Sequence, residues 1–336
     1  AEAVTGETPN LAARLQGLSA PGQVVVDLGS HRLIGNAFDL VDLGPQEMKG
    51  FDLPVPAWQV VGEKTSDSRF DASHGLALTR FVGREAERQL LFERWRLAKG
   101  GEGQTVLLSG EAGIGKSRMV QAIREHVSAG RHYRLRYQCS PYHTNSAFHP
   151  IIQRLELVAG FSSNDDSDEK LDKLEDLLAM SGETINAAAP YFAELLSLPW
   201  EERYTVKPLT PQQIREGTIE VLIGQVLNLS RQCPVLFILE DAHWIDPSTE
   251  ALIGELLVRT AGASIFFLIT HRPEYEPPWP KQPHLTSIAL NRLSRVQGAE
   301  IARAVGGDML AEALIDGIVA RADGVPLYVE EIARSV

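Results

Sequence analysis

Eight consecutive residues, Gly110-Glu111-Ala112-Gly113-Ile114-Gly115-Lys116-Ser117, fit the pattern G-x-x-x-x-G-K-[ST] at every fixed position. Glycines at this spacing let main-chain N–H groups turn inward around an anion, and a helix that follows adds the positive end of its dipole. A lysine placed as Lys116 is reaches the β- and γ-phosphates of a nucleotide. A hydroxyl placed as that of Ser117 binds Mg²⁺. Thr105-Val106-Leu107-Leu108-Ser109, just upstream, reads as a short buried strand, and Arg118 to His126 reads as a helix. Strand, glycine loop and helix are the context this chemistry requires. The expectation is a site for ATP or ADP with Mg²⁺.

A phosphate loop alone hydrolyses nothing: Mg²⁺ needs an acidic anchor and the attacking water needs an orienting group. Val235-Leu236-Phe237-Ile238-Leu239-Glu240-Asp241 offers an apolar strand ending in two carboxylates. Ligands of parallel α/β sheets bind outside the carboxyl ends of the strands. If this strand neighbours the one before the glycine loop, Glu240 and Asp241 face the triphosphate; otherwise they are a solvated acid pair. Asp246-Pro247-Ser248 reads as a helix cap. His243 is placed either to touch a γ-phosphate or to pack as a loop histidine, and Trp244 is expected in the core. The run Leu268-Ile269-Thr270-His271-Arg272-Pro273 brings a hydroxyl and the Arg272 guanidinium to another strand end, a pairing suited to sensing a γ-phosphate or to a surface loop.

The elements that must hold these residues follow from periodicity. Strands are expected at Thr105–Ser109, Tyr133–Cys139, Val235–Glu240, Ser264–Thr270 and Thr286–Leu290, and helices at Glu85–Leu97, Lys116–Val127, Pro247–Arg259 and Arg295–Ala304. Alternation of this kind predicts an α/β fold with a mostly parallel five-stranded sheet covered on both faces. Tyr133 to Gln138 alternates large and charged residues, which suits a sheet edge. Residues 160–230 interrupt the pattern with a helical insertion, in which Asp168–Met180 and Gln212–Arg231 read as amphipathic helices. Residues 1–62 instead alternate short strands (Gln23–Asp27, Phe38–Asp42, Pro54–Val61) with turns, and residues 63–76 are polar and aperiodic, as a linker is. The domains expected are thus 1–62, 77–290, and a helical segment from 291 to 336.

Composition narrows the classes. A net charge of −12 leaves no basic footprint for nucleic acid. Two cysteines exclude a disulfide framework and a cysteine-rich zinc site, which suits a cytoplasmic compartment. No run is long and apolar enough to span a membrane, and no secretory signal is present. The chain opens on Ala1 rather than Met, so it is expected to be a piece of a longer protein.

Residues 78–336 resemble the signal-transduction ATPases with numerous domains, the STAND class of P-loop NTPases. The resemblance rests on Phe81-Val82-Gly83-Arg84-Glu85, the phosphate loop, Leu239-Glu240-Asp241-Ala242-His243-Trp244-Ile245-Asp246, Thr270-His271-Arg272-Pro273, and Gly324-Val325-Pro326-Leu327-Tyr328-Val329-Glu330-Glu331. It implies that Val82, Gly83 and Arg84 lie against adenine and that Gly324 and Pro326 belong to a helical lid closing on the base. The order of the class implies Glu240 for Mg²⁺ and Asp241 for the water, although Glu240 stands where the class usually has Asp.

Residues 1–62 resemble the C-terminal end of a class III adenylate/guanylate cyclase catalytic domain, an α+β fold, through Gly6-Glu7-Thr8-Pro9-Asn10-Leu11-Ala12-Ala13-Arg14-Leu15. The resemblance implies that Asn10 orients the substrate ribose and Arg14 stabilises the α-phosphate. It also implies that Lys49 contacts phosphate. A spacing of four puts Asn10 and Arg14 on one helix face. Read locally, the same residues make a surface helix. The family's metal-binding aspartates lie upstream of Ala1, so this chain would carry half a site, completed by an intramolecular or homodimeric cyclase-domain partner, and would make no cyclic nucleotide alone. The reading is an ATP-binding, ATP-hydrolysing regulatory module of a signalling cyclase that makes cyclic AMP. Its rivals are a nucleotide switch that does not hydrolyse and the ATPase module of a STAND-type transcription regulator. A DNA-loading ATPase is disfavoured by the acidic charge.

Overall fold

The structure is a computed structural model and describes residues 6–35, 38–51, 53–63, 80–162, 164–181, 185–204, 210–279, 282–307 and 310–336. The chain divides into two compact units, Ala1–Leu78 and Thr79–Val336. Of the expected linker, only Glu63 lies among the described residues.

The first unit opens with helix α1 (Glu7–Gln16). Leu11 and Leu15, four apart, turn inward, and Asn10 and Arg14 stand exposed on another face. Strand β1 (Val24–Asp27) leads into helix α2 (Leu28–Ile34), whose first N–H groups, those of Gly29 and Ser30, donate to the Asp27 carboxylate. Those hydrogen bonds, with Ser30 first, hold the Asp27 carboxyl below its ordinary value. Strands β2 (Phe38–Gln46) and β3 (Val55–Glu63) complete an antiparallel sheet of order β1-β3-β2. Its core is small, with Leu15, Met48 and Ala57 buried together.

The second unit starts with α3 (Glu85–Lys99), β4 (Gln104–Ser109), α4 (Lys116–Val127) and β5 (Tyr133–Gln138). Four helices follow before the next strand: α5 (His149–Ala159), α6 (Ser167–Ser181), α7 (Ile185–Leu195) and α8 (Pro211–Gln232). Periodicity picked out α6 and α8. It missed α5, which starts with Pro150 in its first turn, and α7, which carries Pro190 inside. Proline is a helix-breaking signal when read locally, and tertiary packing overrides it here: Pro190 is buried, and Ala189 and Phe192 beside it are fully so.

The sheet continues with β6 (Val235–Glu240), β7 (Ile265–His271) and β8 (Leu285–Ala289), with α9 (Pro247–Arg259) between β6 and β7. The order is β5-β6-β7-β4-β8 and every pairing is parallel. β4 and β6, whose adjacency the sequence left open, are separated by β7. All of β6 and β7 is buried. Alternate residues serve opposite faces: Phe237, Leu239, Phe267 and Ile269 pack against α5–α9, and Leu236, Ile238, Phe266 and Leu268 pack against α3 and α4. A three-helix segment, α10 (Arg295–Gly306), α11 (Glu312–Ala322) and α12 (Pro326–Arg334), has its own core of Ile301, Ile315, Ile318 and Val329. Ser294 and Gln297 cap α10 reciprocally.

Candidate functional site at the carboxyl edge of the parallel sheet

The loop from Gly110 to Gly115 joins β4 to α4. Gly113 (φ +73°) and Gly115 (φ +102°) adopt left-handed backbone, which side chains with a Cβ rarely enter. A Cβ on Gly113 would also lie 3.0 Å from Leu327 Cβ, and one on Gly110 would lie 2.7 Å from Ile114 Cγ2. Glu111 and Ala112 form the exposed crown, and Ile114 is fully buried beneath it. The Lys116 ammonium donates to the carbonyls of Gly110 (2.7 Å) and Glu111 (3.0 Å). Burial lowers its pKa, and the Asp241 carboxylate opposes that shift. Ser117 follows in the first turn of α4.

Three segments meet this loop. Arg84, itself left-handed (φ 62°), donates to the carbonyl of Ile114 (3.1 Å) and to that of Asn291 (2.7 Å). Val82 packs on the core of the α10–α12 segment, and Gly83 passes so close to Gln297 that a Cβ would lie 2.5 Å from its Nε2. Pro326 opens α12, and the Leu327 N–H donates to the Gly113 carbonyl (3.3 Å). The helical segment therefore closes on the loop main chain. Arg292, a residue sequence reasoning did not single out, binds Glu111 of the loop (3.1 Å) and Asp323 at the end of α11. Beside it a cavity of about 270 Å³ is lined by Glu111, Ala112, Arg292, Asp323, Val325 and Tyr328.

Across β7, the two acids at the end of β6 part company. Glu240 is 4% exposed, and the Arg136 guanidinium donates to its Oε1, from Nε at 2.7 Å and from Nη2. Burial pushes the Glu240 carboxyl up, and Arg136 pulls it back. Glu240, expected to serve Mg²⁺, thus has one carboxylate oxygen held by a strand neighbour. Arg136 belongs to the alternating pattern of an edge strand, and β5 is an edge, yet this arginine is 8% exposed and turned under the sheet. In-register pairing of Gln138 with Glu240 puts Arg136 and Glu240 two residues apart on one face.

Asp241 leaves the strand in a left-handed conformation (φ 57°), which Asp tolerates better than most residues. Its N–H donates to Thr270 Oγ1 (3.0 Å), so this β7 hydroxyl anchors the turn. Arg272 lies with its guanidinium carbon 5.2 Å from the centre of the Trp244 ring. Trp244, expected in the core, is half-buried against it. His243, on the single helical turn Ala242–Trp244, leans on Trp244 at 4.3 Å. Burial lowers its pKa. Asp246 caps α9 as expected, accepting from the N–H groups of Ser248 and Thr249, and it also accepts from the Phe148 N–H (3.0 Å).

In the first unit Asn10 and Arg14 are exposed on α1. Lys49 is exposed on the turn after β2, whose flanking residues Met48 and Phe51 pack with Leu11 and Leu15. No group of three or more His, Cys, Asp or Glu side chains among the described residues is arranged to hold a metal. No helix among them is long and apolar enough to cross a membrane. Cys139 and Cys233 are unbridged.

Over its whole length the chain is 31% identical to an uncharacterized protein of Rhizobium meliloti (strain 1021), and it spans 32% of that protein. Among solved structures it is similar to a STAND protein with a tetratricopeptide repeat sensor from Pyrococcus horikoshii (15% identity, 74% of this chain, 29% of that one, TM-score 0.38). It is also similar to the T158V variant of RuvB from Thermotoga maritima (13% identity, 76% of this chain, 61% of that one, TM-score 0.38). Residues 80–269 match the AAA ATPase domain. That match covers more than half of the chain and includes β4, the phosphate loop, β6 and most of β7; the chain belongs to the AAA ATPase domain family.

Proposed function

We propose that residues 80–336 bind ATP with Mg²⁺ in the 110–117 loop and hydrolyse it, as the STAND-type regulatory module of a cytoplasmic signalling protein. The observation that carries this is the convergence of Lys116 and Asp241 at the carboxyl edge, where the Asp241 carboxylate acts on the Lys116 ammonium. The donor chemistry fits the metal. Ser117 and Asp241 offer a hydroxyl and a carboxylate, the hard oxygens Mg²⁺ takes along with phosphate oxygens. Bound there, Mg²⁺ would neutralise charge on the β- and γ-phosphates. Glu240, paired with Arg136, stiffens the strand end behind them. Val82, Gly83, Arg84 and Pro326 frame the entrance where the base would lie.

A second reading, a nucleotide switch without turnover, is favoured by the Arg136–Glu240 pair, which takes one of the two strand-end carboxylates out of the chemistry. ATP titration with and without Mg²⁺, followed by phosphate release in a single turnover, separates the two. Hydrolysis predicts release by the wild type, and Asp241→Asn should weaken the Mg²⁺-dependent part of the affinity and slow release by about 10²–10⁴-fold. Binding without release selects the switch. Failure to bind ATP removes both.

For the first unit we propose the C-terminal end of a class III cyclase catalytic domain, with Asn10, Arg14 and Lys49 facing a substrate nucleotide completed by a cyclase-domain partner. The helix-face placement of Asn10 and Arg14 and the packing of the Lys49 turn under the same helix support this. Co-expression with a metal-binding cyclase half should restore cyclic AMP formation that this chain lacks alone. No product from the pair refutes it.

A further inference from the structure

The site contains a group that the ATPase reading leaves without a role. Both ring nitrogens of His243 are shut off from solvent and neither has a hydrogen-bond partner. An imidazole always has a hydrogen to donate or a lone pair to offer, and burying both unmet is costly. The surroundings say what kind of group would meet them. The charges acting on the ring come from Asp241, Arg272, Lys116 and Glu274. His243 lies on the single helical turn that directly follows Asp241 at the end of β6, packed on Trp244.

Several other polar groups of that edge have contacts of their own. Thr270 Oγ1 accepts from the Asp241 N–H. The Arg272 guanidinium lies over Trp244. The nearest buried acid, Glu240, belongs to Arg136. His243, among the described residues, has both ring nitrogens without a hydrogen-bond partner. Its backbone is fixed by the turn that Asp241 begins, with the Trp244 N–H donating to the Asp241 carbonyl (2.9 Å) and the Ile245 N–H to that of Ala242 (3.1 Å). The ring is fixed against Trp244.

We propose that His243 donates a hydrogen bond to the terminal phosphate of a bound nucleoside triphosphate, and is thereby the residue that lets this site distinguish a triphosphate from a diphosphate. The proposal rests on nucleotide binding by the 110–117 loop. It adds a specific reader for the third phosphate. The diphosphate portion is held by the loop main chain and Lys116, so it gains nothing from His243.

The test uses the whole 336-residue chain with Mg²⁺ and two probes, the slowly hydrolysed triphosphate ATPγS and ADP, in equilibrium titrations of wild type, His243→Ala and His243→Gln. His243→Ala should lose about tenfold in ATPγS affinity, the scale of one charge-assisted hydrogen bond. Its ADP affinity should stay within about twofold, because the hydrogen bond is made to the third phosphate alone. Glutamine can still donate an N–H and should recover part of the ATPγS loss. An equal loss for both nucleotides, with a lowered melting temperature, would make His243 a packing residue and overturn the proposal. No loss for either would do the same. A wild type that binds neither probe, with Lys116→Ala indistinguishable from it, would remove the nucleotide reading itself.

Discussion

The two units hold their candidate site residues in opposite ways. In the second, Lys116, Asp241 and His243 stand at or just beyond the ends of strands buried on both faces, so their main-chain positions are fixed by packing. In the first, Asn10, Arg14 and Lys49 sit on a helix face and a turn above a core of three buried side chains. A strand-end site inherits its geometry from the whole sheet. A helix-face pair owes its geometry to the helical period and to little else, so it becomes a site only when a second surface is brought to it. Substitutions in the second unit should therefore disturb binding and folding separately, and in the first unit neither should change without a partner.

The largest effect is expected at Lys116. Lys116→Ala should lower ATP affinity by at least about a hundredfold, as removal of a half-buried cation at a triphosphate does, with an unchanged far-ultraviolet circular dichroism spectrum. Undiminished binding would place the nucleotide elsewhere.

Next is the Arg136–Glu240 pair. Arg136→Met leaves Glu240 buried and uncompensated, which typically costs about 3–5 kcal/mol. The pH dependence has a definite sign. Burial already raises the Glu240 carboxyl above its unfolded value, and without Arg136 it rises further. The folded variant then takes up a proton that the unfolded chain releases, so its stability improves as pH falls and worsens as pH rises. Urea unfolding at pH 5 and pH 8 should show the smaller deficit at pH 5. Equal deficits would mean that the loss comes from packing and not from charge.

Asp246→Ala follows. It removes the α9 cap and leaves the Phe148 N–H unpaired, a loss of about 2 kcal/mol. The same denaturation experiment reads it, and a loss below about 0.5 kcal/mol would show that water replaces the carboxylate. The smallest effects belong to Asn10→Ala and Arg14→Ala. Both should change stability by no more than about 0.5 kcal/mol, as exposed substitutions do, and should leave ATP titration of the second unit untouched. A larger shift would mean that these side chains already serve the fold.

What the sequence made legible follows the same division. Strand-end chemistry announces itself because a glycine loop, an apolar strand and a charged terminus are local patterns. The phosphate loop and the Asp246 cap were read from consecutive residues. Strand order was not readable in this way, since β4 and β6 are separated by a strand that comes later in the chain. The Arg136–Glu240 pair spans 104 positions and arises from register. Arg292 joins Glu111 to Asp323 only because the helical segment folds back on the loop. Helices α5 and α7 were hidden by their prolines, which local propensity counts against them and a buried environment accepts.

The three glycines of the phosphate loop predict different genetics. Gly110 is excluded from carrying a side chain by one neighbour above all, the Cγ2 of Ile114. Removing that methyl, as in Ile114→Ala, is where a suppressor of Gly110→Ala would be sought. Gly115 has open space around it and only its dihedral to protect, so asparagine is the replacement to expect in a selection. Gly113 has both constraints at once, a left-handed backbone and the Leu327 side chain pressed against it. Most second-site changes at Leu327 keep its Cβ, Val325 also crowds the position, and the dihedral stays strained, so a revertant screen started from a Gly113 substitution should return glycine itself.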